Sequence, residues 1–222
     1  MSKRVEAWKS WWDERQIGFH QSDVHKMLSK HLAKLIPDDK ANKVFFPLCG
    51  KAVDMSWLAS QGYNIVGVDG VKKALEEFFT DQGIEYSVED VNHNEQTFQM
   101  FKSKDDMIRL YCTDIFNFTP DIEGTFDAVW DRGALVALNR EDVSGYVQNM
   151  KRLLSPNGRI LVEVMEYDPD GQNKHPPPHP MYEEEIRSLY EPECEVHLIE
   201  RVEYQLRGTD IYTVIYNIIK KP

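Results

Sequence analysis

Four short segments of the sequence follow predicted buried strands and carry residues that could bind a ligand. They are residues 47–51, 69–70, 113–115 and 131–133. In an open sheet of parallel strands, ligands bind beyond the carboxyl ends of the strands, where the strand order reverses. We therefore expect these segments to lie together and to form the functional site.

The side chains in these segments suit a nucleoside. The Asp69 carboxylate can accept hydrogen bonds from both ribose hydroxyls, although an aspartate before a helix is also a common N-terminal cap. Asp114 could accept from the exocyclic amine of adenine with Ile115 against the ring, or it could cap a turn. Arg132 supplies a guanidinium, and the alternative is a local ion pair with Asp131 that contributes little to stability. Two acidic segments and one guanidinium fit S-adenosylmethionine, an adenosine with a cationic sulfonium and no phosphate.

Several other ligand classes are disfavoured by the motifs. The segment 47–51 contains one glycine, Gly50, and lacks the G-x-G-x-x-G pattern of dinucleotide-binding loops and the G-x-x-x-x-G-K-[ST] pattern of nucleoside triphosphatases. His175 and His179 are separated by three prolines, so no helix can present both to a metal ion. We expect no metal.

The elements that position these segments alternate between strands and helices. Apolar runs predict buried strands at residues 43–46, 64–68, 108–112, 126–130 and 159–165. Helical spacing predicts helices at residues 24–36, 52–59, 72–82, 140–154 and 181–190. Two β-rich stretches, 194–206 and 209–220, indicate an antiparallel pair at one edge. We predict a single α/β domain over residues 1–222, with a mostly parallel sheet and helices on both faces.

The N-terminal segment, residues 1–25, is rich in aromatic residues. Trp8, Trp11 and Trp12 have the i, i+3, i+4 spacing that places them on one face of a short helix. Either this face docks an amphipathic helix on the core, or it forms an aromatic lid over a ligand.

The amino-acid composition limits which binding partners and which cellular compartment the protein is expected to have. The chain has 222 residues, with 26 Lys and Arg against 37 Asp and Glu, for a net charge of −11. This balance disfavours nucleic acids and anionic membrane surfaces. No run reaches the roughly 18–20 apolar residues of a membrane helix, and three scattered cysteines indicate no disulfide framework. We expect a cytoplasmic protein that acts on a small molecule, and a monomer because nothing requires a dimer.

Three long motifs resemble those of the thiopurine S-methyltransferase family. They are VFFPLCGKAVDM at residues 44–55, QIGFHQ at 16–21 and WDRGALVAL at 130–138. The resemblance continues in one order over nearly the whole chain. It implies a Rossmann-like class I methyltransferase fold and S-adenosylmethionine as methyl donor. It also implies small aromatic or heterocyclic thiols as acceptors.

The resemblance implies a role for particular residues. The implied cofactor contacts are Trp8, Trp12, Leu48, Asp69, Asp114, Ile115 and Arg132. The implied acceptor contacts are Phe19, Arg132 and Arg207, with Arg132 and Arg207 also catalytic. Many family members have Glu at the position of Asp69, and the segment 203–210 is short here, so matching Arg207 requires a gap. Two alternatives therefore stay open. One is methylation of hydrosulfide, halide, selenium, tellurium or aliphatic acceptors, and the other is a non-catalytic protein that binds S-adenosylmethionine.

Overall fold

The computed structural model describes residues 2–37, 43–168, 177–206 and 209–222, without the side chains of residues 205, 206 and 209. The helices are α1 (Lys3–Asp13), α2 (Lys26–Leu35), α3 (Asp54–Ser60), α4 (Lys72–Gln82), α5 (Pro120–Glu123), α6 (Arg140–Leu153) and α7 (Glu183–Tyr190). The strands are β1 (Lys43–Pro47), β2 (Asn64–Asp69), β3 (Tyr86–His93), β4 (Gln96–Ser103), β5 (Ile108–Cys112), β6 (Phe126–Arg132), β7 (Leu154–Glu166), β8 (Cys194–Leu206) and β9 (Thr209–Lys220).

The strands form one mixed sheet. In the part of the chain that the structure describes, nine strands are arranged in the order β3-β4-β5-β2-β1-β6-β7-β9-β8. The strands β5, β2, β1, β6 and β7 run parallel, and β9 and β8 add an antiparallel pair at one edge. These features confirm the predicted sheet. The strand order reverses between β1 and β6, so the crevice expected to bind a ligand lies beyond the ends of these two strands.

A second antiparallel pair at the other edge was not predicted. Strands β3 and β4 form a hairpin that joins the sheet through β5. No residue of β3 is buried, so its sequence lacks the apolar run that marks the central strands. Strand β7 also begins earlier than the predicted residue 159, directly after α6.

Helices cover both faces of the sheet, as predicted. Successive strand side chains point to opposite faces, so Phe45 and its neighbour Phe46 belong to different core clusters. One cluster includes residues of α6 and α7, such as Tyr146 and Ile186. The other includes residues of α2, α3 and α4, such as Leu28. This packing holds the carboxyl ends of β1, β2 and β6 fixed. Across the described ranges, we find no helix with the length and apolar character that crossing a membrane requires.

Candidate active site

A cavity of about 340 Å³ opens beyond the carboxyl ends of the central strands. This volume is in the range of small-molecule sites. Eight of the predicted site residues line it, namely Trp8, Trp12, Phe19, Leu48, Asp69, Asp114, Ile115 and Arg132. The ninth, Arg207, lies outside the described residues.

The loop after β1 forms one wall of the cavity. Leu48 and Gly50 have φ values of +43° and +51°, in the left-handed region. A Cβ atom added at Gly50 would overlap the ring of His20. The backbone N–H of Gly50 donates to Asp69 Oδ2 over 2.9 Å. Glycine is therefore required here both for the turn and for the close approach of the loop to its neighbours.

Asp69 connects the loops that follow β1 and β2. It is 9% exposed, and its Oδ1 accepts a 2.8 Å hydrogen bond from the N–H of Val71. Burial raises the pKa of this carboxyl to about 6. Asp69 thus ties together the loop ends around the cavity. Because each carboxylate oxygen has two lone pairs, its oxygens can still accept hydrogen bonds from a ligand.

Asp114 makes polar contacts with the start of α1 and also caps the turn that begins at Ile115. Its Oδ1 accepts from the N–H of Phe116, which is the capping role considered as an alternative. Its Oδ2 accepts a 2.6 Å hydrogen bond from Ser2 Oγ and lies 3.3 Å from Arg4 Nη2. Ile115 beside it is 2% exposed. The attachment of Asp114 to the N-terminal helix was not foreseen from the sequence.

The aromatic residues of the N-terminal segment both dock on the protein and line the cavity. Trp12 is 2% exposed and packs with Val71. The ring centroids of Trp8 and Phe19 are 5.7 Å apart, and those of Trp12 and His20 are 4.9 Å apart. The first alternative, a helix docked on the core, is therefore confirmed, and the same aromatic residues also line the cavity.

Arg132 lies between the N-terminal segment and the sheet. Its Nη1 donates a 2.8 Å hydrogen bond to the carbonyl oxygen of Phe19, and its Nε lies 3.6 Å from Glu163 Oε1. The neighbouring Asp131 is fully buried and accepts instead from Leu135 N–H and Tyr146 OH. The alternative of a local ion pair between Asp131 and Arg132 is therefore wrong. Arg132 lines the cavity and contacts both the N-terminal segment, at Phe19, and β7, at Glu163.

A buried polar cluster beneath Arg132 was missed by the sequence prediction. Asp54 accepts from the N–H of His25 over 2.7 Å and from Trp130 Nε1 over 3.3 Å. Glu163 Oε2 lies 3.3 Å from His25 Nε2, and all four residues line the cavity. One signal was available, because Glu163 is a charged residue inside the apolar run Ile160 to Val164.

Burial shifts the titration of this cluster. Desolvation raises the pKa of Glu163 to about 7, although the charge of Arg132 opposes the shift. Desolvation, reinforced by Arg132, lowers the pKa of His25 to about 4. The cluster therefore offers a carboxyl that titrates near neutrality beside a neutral imidazole. Among the residues described, no three His, Cys, Asp or Glu side chains are grouped so as to hold a metal ion.

The sheet has its cavity at the reversal of strand order, an acidic residue at the end of β2 and the antiparallel strand β9 beside β7, which together match the class I methyltransferase fold. Solved structures agree. A 1,6-didemethyltoxoflavin-N1-methyltransferase from Burkholderia thailandensis, determined with S-adenosylhomocysteine, matches with a TM-score of 0.65 at 16% identity, covering 99% of this chain and 87% of that one. Magnesium protoporphyrin IX methyltransferase from Synechocystis PCC 6803, determined with S-adenosylmethionine, matches with a TM-score of 0.65 at 13% identity, covering 100% and 99% of the two chains.

Sequence comparison gives the family. The sequence model of the family described as thiopurine S-methyltransferase matches residues 3–210. The thiopurine S-methyltransferase of Oryctolagus cuniculus is 40% identical over 200 residues, which is 90% of this chain and 80% of that protein. A probable thiopurine S-methyltransferase of Danio rerio is 38% identical over 199 residues, or 90% and 84% of the two chains. The chain belongs to the thiopurine S-methyltransferase family, which confirms the resemblance drawn from the motifs.

Proposed function

We propose that this protein transfers a methyl group from S-adenosylmethionine to the sulfur of small aromatic or heterocyclic thiols of the thiopurine type. One observation carries the proposal, namely that a single cavity joins the loops at Gly50 and Asp69 to the Arg132 guanidinium. Membership of the thiopurine S-methyltransferase family supports the same activity.

The residues of the cavity fit the methyl donor. Bound S-adenosylmethionine would supply a methyl group on a cationic sulfonium. Asp69 would accept from the ribose hydroxyls, and Leu48 and Ile115 would supply apolar contacts, with Asp114 beside the adenine. The glycine at position 50 lets the loop after β1 lie directly against the His20 ring, which a side chain would prevent. The rings of Trp8 and Trp12 would attract a cation through their faces, with a free energy of about 0.5–2 kcal/mol.

The opposite side of the cavity fits an anionic sulfur acceptor. Arg132 would hold the thiolate, and Phe19 would pack against an aromatic ring. A thiolate is a far stronger nucleophile than a thiol. The main task of the site is then alignment of the reacting groups, which can contribute about 7–11 kcal/mol. We assign Arg207 as a second cation for the acceptor.

The proposal extends to the organisation of the chain. Residues 1–25 would act as a lid that excludes water over a single domain of residues 1–222. The hydrogen bond from Arg132 to Phe19 and the docking of Trp12 support the lid.

We further propose a cytoplasmic monomer without a resident metal that acts on free small molecules. The net charge of −11 supports this proposal by disfavouring nucleic acids.

A methyl-transfer assay tests the proposal. The protein is incubated with S-adenosylmethionine and, separately, with 6-mercaptopurine, thiophenol, hydrosulfide, iodide, selenite and phenol, and products are identified by mass. We expect methylated 6-mercaptopurine and thiophenol and no methylated phenol. Turnover of only the inorganic acceptors would replace the proposed substrate class. Calorimetry with S-adenosylmethionine is run in parallel, and absence of binding would overturn the donor assignment.

A further inference from the structure

Glu163 is a residue of the cavity lining, and one of its oxygens is buried without a hydrogen-bond partner. The side chain is 12% exposed, and Oε2 has no partner among the described residues. Although His25 Nε2 is 3.3 Å away, the two atoms do not form a hydrogen bond. A buried carboxylate oxygen without a donor is costly. A ligand that brings a proton to this oxygen would remove the cost.

The charged and titratable groups around Glu163 come from several elements. Arg132 at the end of β6 lies near Oε1, and His25, just before α2, lies near Oε2. Asp54 at the start of α3 and Tyr204 on β8 also interact electrostatically with the Glu163 carboxylate. Both oxygens of Asp54 already accept hydrogen bonds. His25 is a weak base, because burial and Arg132 lower its pKa to about 4. Within this buried cluster, Glu163 is thus the carboxylate with an uncommitted oxygen.

We propose that Glu163 accepts the proton of the methyl acceptor at Oε2. This inference rests on the proposed function and names the group that ionises the substrate. The S–H bond of a thiol, or the N–H bond of a heterocyclic thione, breaks as an O–H bond forms on Glu163. The electron pair stays on the acceptor, whose sulfur bonds to the methyl group while the bond from methyl to sulfonium breaks toward the donor sulfur. Solvent then takes the proton from Glu163.

The charges around Arg132 favour this transfer. Before it, the Arg132 guanidinium faces the Glu163 carboxylate at 3.6 Å. Afterwards Glu163 is neutral and the same guanidinium faces the thiolate, so the number of charges in the buried cluster does not change. Burial raises the pKa of Glu163 to about 7, which brings its basicity close to that of an acidic thiol.

The test is the dependence of kcat/KM on thiol acidity for the wild type and for Glu163→Gln. The acceptors, in order of decreasing acidity, are 4-nitrothiophenol, thiophenol and benzyl mercaptan. A general base contributes about 100-fold or more to a reaction that needs proton removal. We therefore expect Glu163→Gln to lose about 100-fold with benzyl mercaptan and less than about threefold with 4-nitrothiophenol, which is already ionised. An equal loss for all three thiols would show a structural role and overturn the inference.

A matched control and a binding measurement separate the possible causes. Glu166→Gln makes the same change on the same strand, at a carboxylate paired with Arg201 and absent from the cavity lining; its kcat/KM values should follow the wild type. With S-adenosylhomocysteine present at pH 8, where Glu163 is ionised and free benzyl mercaptan is not, bound benzyl mercaptan should show thiolate absorbance in the wild type and not in Glu163→Gln. Identical absorbance in both proteins would overturn the inference alone. A wild type that neither binds nor methylates thiols would overturn the proposed function and this inference with it.

Discussion

The guanidinium of Arg132 donates a 2.8 Å hydrogen bond to the backbone carbonyl of Phe19, which lies 113 residues earlier in the chain. The same guanidinium faces Glu163 on the adjacent strand β7. One side chain therefore links the N-terminal segment to the buried polar cluster of His25, Asp54 and Glu163. An acceptor that binds Arg132 would compete with both contacts, so substrate binding and lid position are expected to be coupled.

Replacement of Arg132 by alanine should reduce turnover more than stability. A hydrogen bond to a charged group contributes about 1.5–3 kcal/mol, so kcat/KM for thiophenol should fall by about 10–100-fold. Because the side chain is about a quarter exposed, the melting temperature should change by only a few degrees. Arg201→Ala, which removes a surface cation paired with Glu166, is the control and should keep full activity. Wild-type thiol methylation by the Arg132 variant would refute its proposed role.

Replacement of Asp69 by asparagine should weaken donor binding. Both Asp69 oxygens accept backbone N–H groups, from Gly50 and Val71. An amide nitrogen would face one of these donors and also remove the charge offered to the ribose. We expect the calorimetric Kd for S-adenosylmethionine to rise about 10–100-fold. Asp127→Asn, at an exposed carboxylate that accepts from Ser155, should leave the Kd unchanged. Equal affinities for wild type and Asp69→Asn would remove the ribose assignment.

Loss of the Trp12 side chain should release the lid. Trp12 is almost fully buried and packs on Val71 and Ala74 at the start of α4. Truncation of a buried tryptophan costs about 3–5 kcal/mol, and here the cost falls on the docking of α1. Trypsin should therefore cleave within residues 1–20 faster in Trp12→Ala than in the wild type, with S-adenosylmethionine present. Lys30→Ala, which removes a surface ion pair with Glu200, is the control. Equal cleavage rates in all three proteins would argue against the lid.

The sequence specified the central sheet because its strands are buried on both faces and read as apolar runs. It also predicted that the four segments after the strands would lie together, since the ends of parallel strands meet at one edge, and residues from all four line the cavity. The hairpin of β3 and β4 was not predicted from the sequence, because β3 has no buried residue and therefore no apolar run. The cluster of His25, Asp54 and Glu163 was not predicted for a different reason. Its members are far apart in sequence, and their contacts follow from how α2 packs on β6 and β7 and from where α3 begins.

A methyl group added at Gly50 should prevent donor binding, because the added Cβ would force the His20 ring or the loop after β1 out of the cavity wall. The position combines a φ of +51° with a Cβ direction that meets the His20 ring. Gly83, which ends α4, has a φ of +64° and nothing within 4 Å of an added Cβ. Both alanine variants incur backbone strain, of about 1 kcal/mol. Only Gly50→Ala should lose calorimetric binding of S-adenosylmethionine. Similar losses in both variants would assign the effect to the backbone alone.

The raised pKa of Glu163 predicts how stability depends on pH. Its folded value of about 7 lies above the usual 4.5, so folding favours the protonated form. The stability from this preference is fully present below about pH 4.5 and is lost as pH rises through 7. Because glutamine does not titrate, Glu163→Gln removes this pH-dependent loss of folding stability. Relative to wild type, the ligand-free variant should gain about 1–3 kcal/mol between pH 5 and 8, or roughly 2–10 °C in Tm. Asp69 and Asp131 titrate near pH 6 in both proteins, so their contributions cancel. Thermal unfolding at four pH values measures the difference, and parallel Tm curves for the two proteins would show that Glu163 keeps its ordinary pKa.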